Sequence, residues 1–199
     1  MNKYALAAVL LLGACGGTRS NPGFNQEKFD AGDQAYVVLS ASNNASPANF
    51  DVYNVFLFKN ENGDTVKLSA APTGTAQAMI PAGKWTLVEY GLYGSRNYGK
   101  TTQSVSVNFS NYVSGGFSVP AGKAIYLGNI ETRITKNNTS GLKKIFNMGS
   151  SASDLEFETK LNDDFANRYE LMSSVKEKTG LAVEKSLMDW SKITYDYED

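Results

Sequence analysis

Across the first two thirds of the chain, apolar residues recur with a period of two or in short unbroken runs, which is the pattern of strands. Ala35-Tyr36-Val37-Val38-Leu39 is one such run. In residues 51–59, Tyr53, Val55 and Leu57 alternate while Phe56 and Phe58 make the other face apolar too. That strand is expected to be covered on both sides. Glu61-Asn62-Gly63-Asp64 supplies an Asn-Gly hairpin turn, and Thr65-Val66-Lys67-Leu68 returns from it. Residues 75–80, 85–93 and 104–109 continue the series. In the last of these, Val105, Val107 and Phe109 alternate with Ser104, Ser106 and Asn108, as in a half-exposed strand.

One tetrapeptide occurs twice. Pro81-Ala82-Gly83-Lys84 leads into Trp85-Thr86-Leu87-Val88, and Pro120-Ala121-Gly122-Lys123 leads into Ala124-Ile125-Tyr126-Leu127. Pro suits the second position of a type I turn and Gly the fourth, so each copy is a turn that launches a strand. Apolar residues precede both, and each copy is expected to close a hairpin. About seven short strands at regular spacing predict an antiparallel β-sandwich over residues 34–135.

The strand, Pro-Ala-Gly-Lys turn, apolar strand arrangement resembles prealbumin-like domains, including those of uncharacterised bacterial lipoproteins. Phe117 to Ile130 is most similar to the latter. The resemblance implies a fold and no activity.

Beyond Lys136 the pattern changes, and residues 136–199 read as a loop and helical segment packing on the sandwich. Asn137-Asn138-Thr139-Ser140-Gly141 is a loop, and residues 155–159 are a candidate short strand. Asn162 can cap a helix that carries Asp163 and Asp164 in its first turn. Phe165, Tyr169, Met172 and Val175 follow at helical spacing, with Lys176, Lys178 and a Gly180 stop. A second short helix is expected over residues 182–190. The apolar stripe suits packing on the sandwich, or alternatively a partner.

The first residues set the destination. Met1-Asn2-Lys3 precedes an apolar run over residues 4–12, then Gly13-Ala14-Cys15. A short cationic start, about ten apolar residues and small residues at a cut site make a secretory signal over residues 1–14. The run is shorter than the roughly 20 apolar residues that span a bilayer. Leu12-Gly13-Ala14-Cys15 resembles the lipobox of bacterial lipoproteins. That resemblance implies cleavage before Cys15 and its modification by a diacylglyceryl group and a fatty acyl group such as palmitate. Two or more chains anchor stably where one does not. Gly16 stands where an Asp would resemble an inner-membrane retention signal, which favours the outer membrane. Residues 15–33 then read as the lipidated Cys and a flexible tether, with a coil span of roughly 20–25 Å.

Composition narrows the chemistry. The 199 residues contain one Cys and no His, with a formal net charge of −1. Without His there is no Ser-His-Asp or Cys-His relay. One Cys makes neither a Cys₄ zinc cage nor an intrachain disulfide. The charge balance leaves no footprint for nucleic acid.

Four motifs remain. Gly94-Ser95-Arg96-Asn97-Tyr98-Gly99-Lys100-Thr101 has the letters of a phosphate-binding loop, which must run from strand into helix. The alternating residues that follow predict a strand, so nucleotide is not expected. Ser173 and Lys176 have Ser-x-x-Lys spacing beside Lys178-Thr179-Gly180, which is better explained as helix C-terminal chemistry. Glu156, Glu158, Asp163 and Asp164 cluster, but as sequence neighbours they suit capping and solvation more than an acid pair across a cleft. Tyr90, Tyr93, Arg96, Tyr98 and Lys100, interleaved with Gly91, Gly94 and Gly99, form a candidate binding loop for a glycan or protein.

The expectation is a membrane-anchored envelope lipoprotein, periplasmic or surface-facing. It would have a non-catalytic binding or assembly role and no cofactor, metal, nucleotide or nucleic acid. The alternative is an envelope hydrolase using carboxylates or a Ser-Lys pair.

Overall fold

The computed structural model describes residues 23–44, 51–71, 73–98, 101–134 and 157–193. The signal segment and Cys15 lie outside the described residues, as do residues 137–141, Glu156 and the acidic C-terminus. Eleven strands and two α-helices are described. In chain order they are α1 (Gln26–Asp30), β1 (Gln34–Asn43), β2 (Asp51–Asn60), β3 (Thr65–Ala70), β4 (Thr73–Pro81), β5 (Gly83–Tyr98), β6 (Thr101–Asn108), β7 (Val113–Val119), β8 (Ala124–Ile134), β9 (Phe157–Asn162), α2 (Tyr169–Thr179), β10 (Val183–Lys185) and β11 (Asp189–Lys192).

The strands form two sheets packed face to face. One sheet runs β4-β1-β8, with β9 and β10 sharing the outer edge of β8. The other runs β3-β2-β5, with β6 and β7 sharing the outer edge of β5 and β11 beyond β7. A β-sandwich is what the alternating pattern predicts. The count exceeds seven, and the first sheet is mixed rather than antiparallel: β1 and β10 both run parallel to β8.

Each long strand carries an irregularity where its outer edge changes partner. In β5, Leu57 faces Glu89 and Phe58 faces Leu87, so Val88 is the extra residue, 49% exposed. β7 pairs before it and β6 after it. In β8, Val38 faces Tyr126 but Ser40 faces Asn129, with Gly128 at φ +108° in between. β10 pairs before that bulge and β9 after it. A bulge reverses which residues face inward, so Ile125 and Leu127 precede it in the core and Ile130 and Ile134 follow it.

The unbroken apolar run 35–39 is explained by cover on both faces. Ala35, Val37 and Leu39 face the second sheet. Tyr36 and Val38 face a helical layer built from Val175, Leu171 and Met172 of α2, with Phe165 and Phe24. The two-sided cover expected of β2 is instead found at β1. In β2, Phe56 and Phe58 are buried, but Tyr53, Val55 and Leu57 lie half-buried on the open face of the second sheet.

Both Pro-Ala-Gly-Lys turns carry the chain from one sheet to the other, β4 to β5 and β7 to β8, so neither closes a hairpin. They flank the start of β1, where Ala82 N donates to Asp33 O at 2.7 Å and Gly122 N donates to Gln34 O at 2.8 Å. Trp85 Nε1 donates to Pro81 O at 3.0 Å and fixes the first corner. The Asn62-Gly63 turn does close the β2–β3 hairpin, with Gly63 at φ +93°.

The C-terminal segment differs most from expectation. The helix begins at Tyr169, after a 3-10 turn over Phe165–Asn167. Asn162 ends β9 instead of capping, because its amide Nδ2 donates to Glu131 at 3.1 Å. Tyr169 falls off the apolar stripe and is 79% exposed. Gly180 stops α2 in the left-handed region, at φ +75°. Residues 182–190, expected as a helix, contribute to β10 and β11. The segment thus adds strands to both sheets and completes the sandwich. Tyr126 joins this segment to β8: its hydroxyl donates to Asp164 Oδ1 at 2.5 Å, and Arg168 holds the same carboxylate. Burial, reinforced by Asp164, pushes the Tyr126 hydroxyl well above its usual range.

Residues 23–33, expected to belong to the tether, are ordered against the sandwich. From Gly23 the chain is docked, with Asn25 capping α1 through Lys28 N at 2.9 Å. Phe24 meets Tyr36 edge-on at 5.6 Å and Phe29 at 5.4 Å. An apolar residue on each side of the cap pins this short helix to the sheet.

Candidate functional site

Of the residues expected to form a binding loop, 90–100, those from 90 to 98 are the second half of strand β5. Tyr90 is fully buried between the sheets, its ring stacked on Phe56 at 4.8 Å. It therefore offers no contact surface, because the bulge at Val88 turns it inward. Tyr93 is half-buried on the open face, directly opposite Tyr53. Arg96 and Tyr98 lie opposite Gln103 and Thr101 in register, and their side chains, with Lys100, lie outside the described residues. The phosphate-loop letters are followed by strand β6. The backbone context for cradling phosphates is therefore missing.

The remaining motifs are dispersed. Ser173 and Lys176 are exposed on α2, and Lys178-Thr179-Gly180 is its C-terminus. Thr179 Oγ1 donates to Val175 O at 2.7 Å, a local helix-end contact. Asp163 accepts from Lys185 Nζ at 2.8 Å, which holds its carboxyl below the usual range. Asp164 serves Tyr126 and Arg168. Among the described residues no three Cys, Asp or Glu groups are placed to hold a metal ion.

Burying Tyr90 has a chemical consequence. Its hydroxyl donates to Asn54 Oδ1 at 3.2 Å and lies 2.6 Å from Thr132 Oγ1. Asn54 Nδ2 donates to Ala71 O, which fixes the amide with its oxygen toward Tyr90. Either oxygen can be the donor in the Tyr90–Thr132 contact. The Thr132 hydroxyl also lies 3.1 Å from Thr159 Oγ1. The result is a row of hydroxyls between the two sheets, from Thr159 on β9 to Asn54 on β2. Burial pushes the Tyr90 phenol far above its usual range, so it stays protonated.

A surface depression of about 320 Å³ lies along β9, lined by Glu131, Arg133, Glu158, Thr159, Lys160 and Lys192. Antiparallel pairing of β8 and β9 sets Glu131 opposite Lys160 and Arg133 opposite Glu158. Glu131 accepts from Arg133 Nε at 2.9 Å and Lys160 Nζ at 3.3 Å. These contacts, led by Lys160 and then Asn162, hold the Glu131 carboxyl below its usual range. Lys192 has no carboxylate partner among the described residues. Its Nζ donates to Phe157 O at 2.9 Å and stands 4.8 Å from the centre of the Phe157 ring. The depression thus gathers three cations and two carboxylates, while the Thr159 hydroxyl turns to the core side with Thr132. Sequence reading does not find it, because Lys192 reaches β9 only through the β11 crossover and the facing charges meet only once the β8–β9 register is set.

The fold is a two-sheet sandwich with one helical layer. No protein-family model matches the chain, and no curated protein is similar to it. Among solved structures it is similar to a leucine-rich repeat protein from Bacteroides thetaiotaomicron VPI-5482, with 21% identity and a TM-score of 0.34, over 50% of this chain and 14% of that one. It is also similar to a candidate cell adhesion protein from Parabacteroides distasonis ATCC 8503, with 13% identity and a TM-score of 0.25, over 49% of this chain and 33% of that one. The matched half of the chain spans a third or less of either structure. Likenesses of this extent carry no argument about function.

Proposed function

We propose that the chain is a membrane-anchored envelope lipoprotein whose sandwich has a non-catalytic binding or assembly role. The observation that carries this reading is Leu12-Gly13-Ala14-Cys15, with the only Cys of the chain at the modified position. Gly16 favours the outer membrane. Non-catalytic work is favoured because Ser173 and Lys176 stand exposed on α2, while Asp163 and Asp164 are committed to Lys185, Arg168 and Tyr126. We read residues 34–135 as a prealbumin-like module elaborated by the later strands. The paired corner turns and the two facing groups β4-β1-β8 and β3-β2-β5, the latter with β6 and β7 on its outer edge, support that reading.

The test is intact-mass measurement of the protein from the membrane fraction, beside Cys15→Ala. The expected result is a wild-type mass raised by acyl chains and a variant that is unacylated and leaves the membrane. Equal masses and equal partitioning would overturn the proposal.

A further inference from the structure

We propose that the helical layer on the first sheet is the face turned to the lipid, with Tyr169 at headgroup level, and that the open face of the second sheet points away from the membrane. This rests on acylation of Cys15, as proposed above. The place where the chain joins the body carries the argument. Gly23 is exposed, and Phe24 beside it packs on Tyr36 and Phe29 within the layer that covers the first sheet. The chain from Cys15 therefore enters the body through the helical layer. Only eight links separate Cys15 from Gly23. Fully extended, they reach about 28 Å.

That reach is short against the thickness of the body. A helix with its side chains is about 10–12 Å thick. The two sheets pack about 10 Å apart, so the open face lies roughly 20–25 Å from the outer surface of the helical layer, straight through the body. Val55 and Leu57 lie half-buried on that open face. The links cannot pass through the core and must run around a sheet edge, which is longer. Laying the open face on the bilayer would hold every link taut, whereas laying the helical layer there strains none.

The surface of that layer suits headgroups. Tyr169, at the start of α2, is the most exposed large hydrophobic side chain among the described residues. Its apolar ring and polar tip suit the boundary between hydrocarbon and water. Ser173 follows one turn later on the same side of the helix. α2 exposes Glu170 and Glu177 against Lys176 and Lys178, a balanced set that suits zwitterionic headgroups.

The test uses the full-length acylated protein in phosphatidylcholine vesicles that carry a headgroup spin-labelled lipid. Acylation occupies the only native thiol, so Ser173→Cys and Lys67→Cys each accept a single fluorophore. Both positions are exposed, Ser173 on α2 and Lys67 opposite Leu57 on the open face. The Ser173→Cys label is expected to be quenched about twofold more than the Lys67→Cys label, with Tyr169 seated at the interface. Tyr169→Ser is expected to lower quenching of the Ser173→Cys label. A thermal melt matched to the parent shows that each labelled protein is folded. The proposal is overturned by equal quenching of the two labels, by stronger quenching of the Lys67→Cys label, or by no change on Tyr169→Ser. Intact mass separates the two proposals: an acylated protein with equal quenching overturns this one alone, and an unacylated protein overturns both.

Discussion

The phenol oxygen of Tyr90 and the hydroxyl oxygen of Thr132 meet 2.6 Å apart inside the sandwich, one from each sheet. Both residues are fully buried, so water cannot replace either partner. Tyr90→Phe removes the hydroxyl that both Asn54 Oδ1 and Thr132 Oγ1 meet, at an expected cost of about 1–3 kcal/mol. Thr132→Val should cost a similar amount. The double variant should cost less than the sum, since the second change orphans fewer groups, with a coupling of roughly 0.5–3 kcal/mol. Urea unfolding of the four proteins measures this, and additive costs would show that the contact contributes nothing of its own.

Gly128, the one glycine of β8, is expected to be more sensitive to substitution than Gly122 in the turn before it. At φ +108° a Cβ there would also fall 2.5 Å from Leu161 Cδ1. Gly122, at φ +71°, has nothing within 4 Å of an added Cβ. Gly122→Ala should therefore cost only the backbone strain, about 1–2 kcal/mol. Gly128→Ala should cost more and should loosen β9 and β10 together. Thermal melts rank the two variants, and hydrogen exchange at residues 157–162 and 183–185 reports the loosening.

Folding stability should fall at acid pH partly through Glu131. Its carboxyl titrates below the usual 4.5 in the folded chain because Lys160, Asn162 and Arg133 favour the charged form. Between the folded value and about 4.5 the unfolded chain binds more protons, so stability rises with pH there. The contribution is complete above that window and is lost as pH falls through it. Glu131→Gln is expected to flatten the slope of stability against pH below 4.5 and leave the slope near neutrality unchanged.

Ending the chain after Leu161 removes α2, β10 and β11. The loss exposes Tyr36, Val38 and Tyr126 on one side and uncovers the outer edge of β7 on the other. The truncated protein is expected to lose cooperative unfolding altogether. A sharp melt retained by residues 1–161 would show that the segment is an accessory to a sandwich already complete.

Much of the sandwich is legible because alternation is a local property. Val107 and Phe109 against Ser106 and Asn108 mark one face before any partner is known, and that face is the buried one. The run 35–39 is ambiguous by the same logic, since apolar residues on both faces say only that something covers each. The destination of Pro81-Ala82-Gly83-Lys84 is not legible: the same turn serves a hairpin or a corner, and hydrogen bonds to Asp33 and Gln34 decide it. Residues 182–190 mislead because two strands of three and four residues are too short to show a period. The inward turn of Tyr90 depends on one extra residue at Val88, which no spacing rule signals. The depression is the least legible part, since its charges come from β8, β9 and β11.

The order in which strands find their partners also governs when the protein can fold. β1 waits for β8, some ninety residues later, and β10 and β11 then bind β8 and β7 from the last twenty residues of the chain. Pairings this distant in sequence slow folding, because each must close a long loop before any contact rewards it. A ribosome or translocation pore holding the C-terminus would keep the sandwich open. If the chain is exported unfolded, as proposed above, it gains from that delay, because its own topology postpones closure until β11 is released.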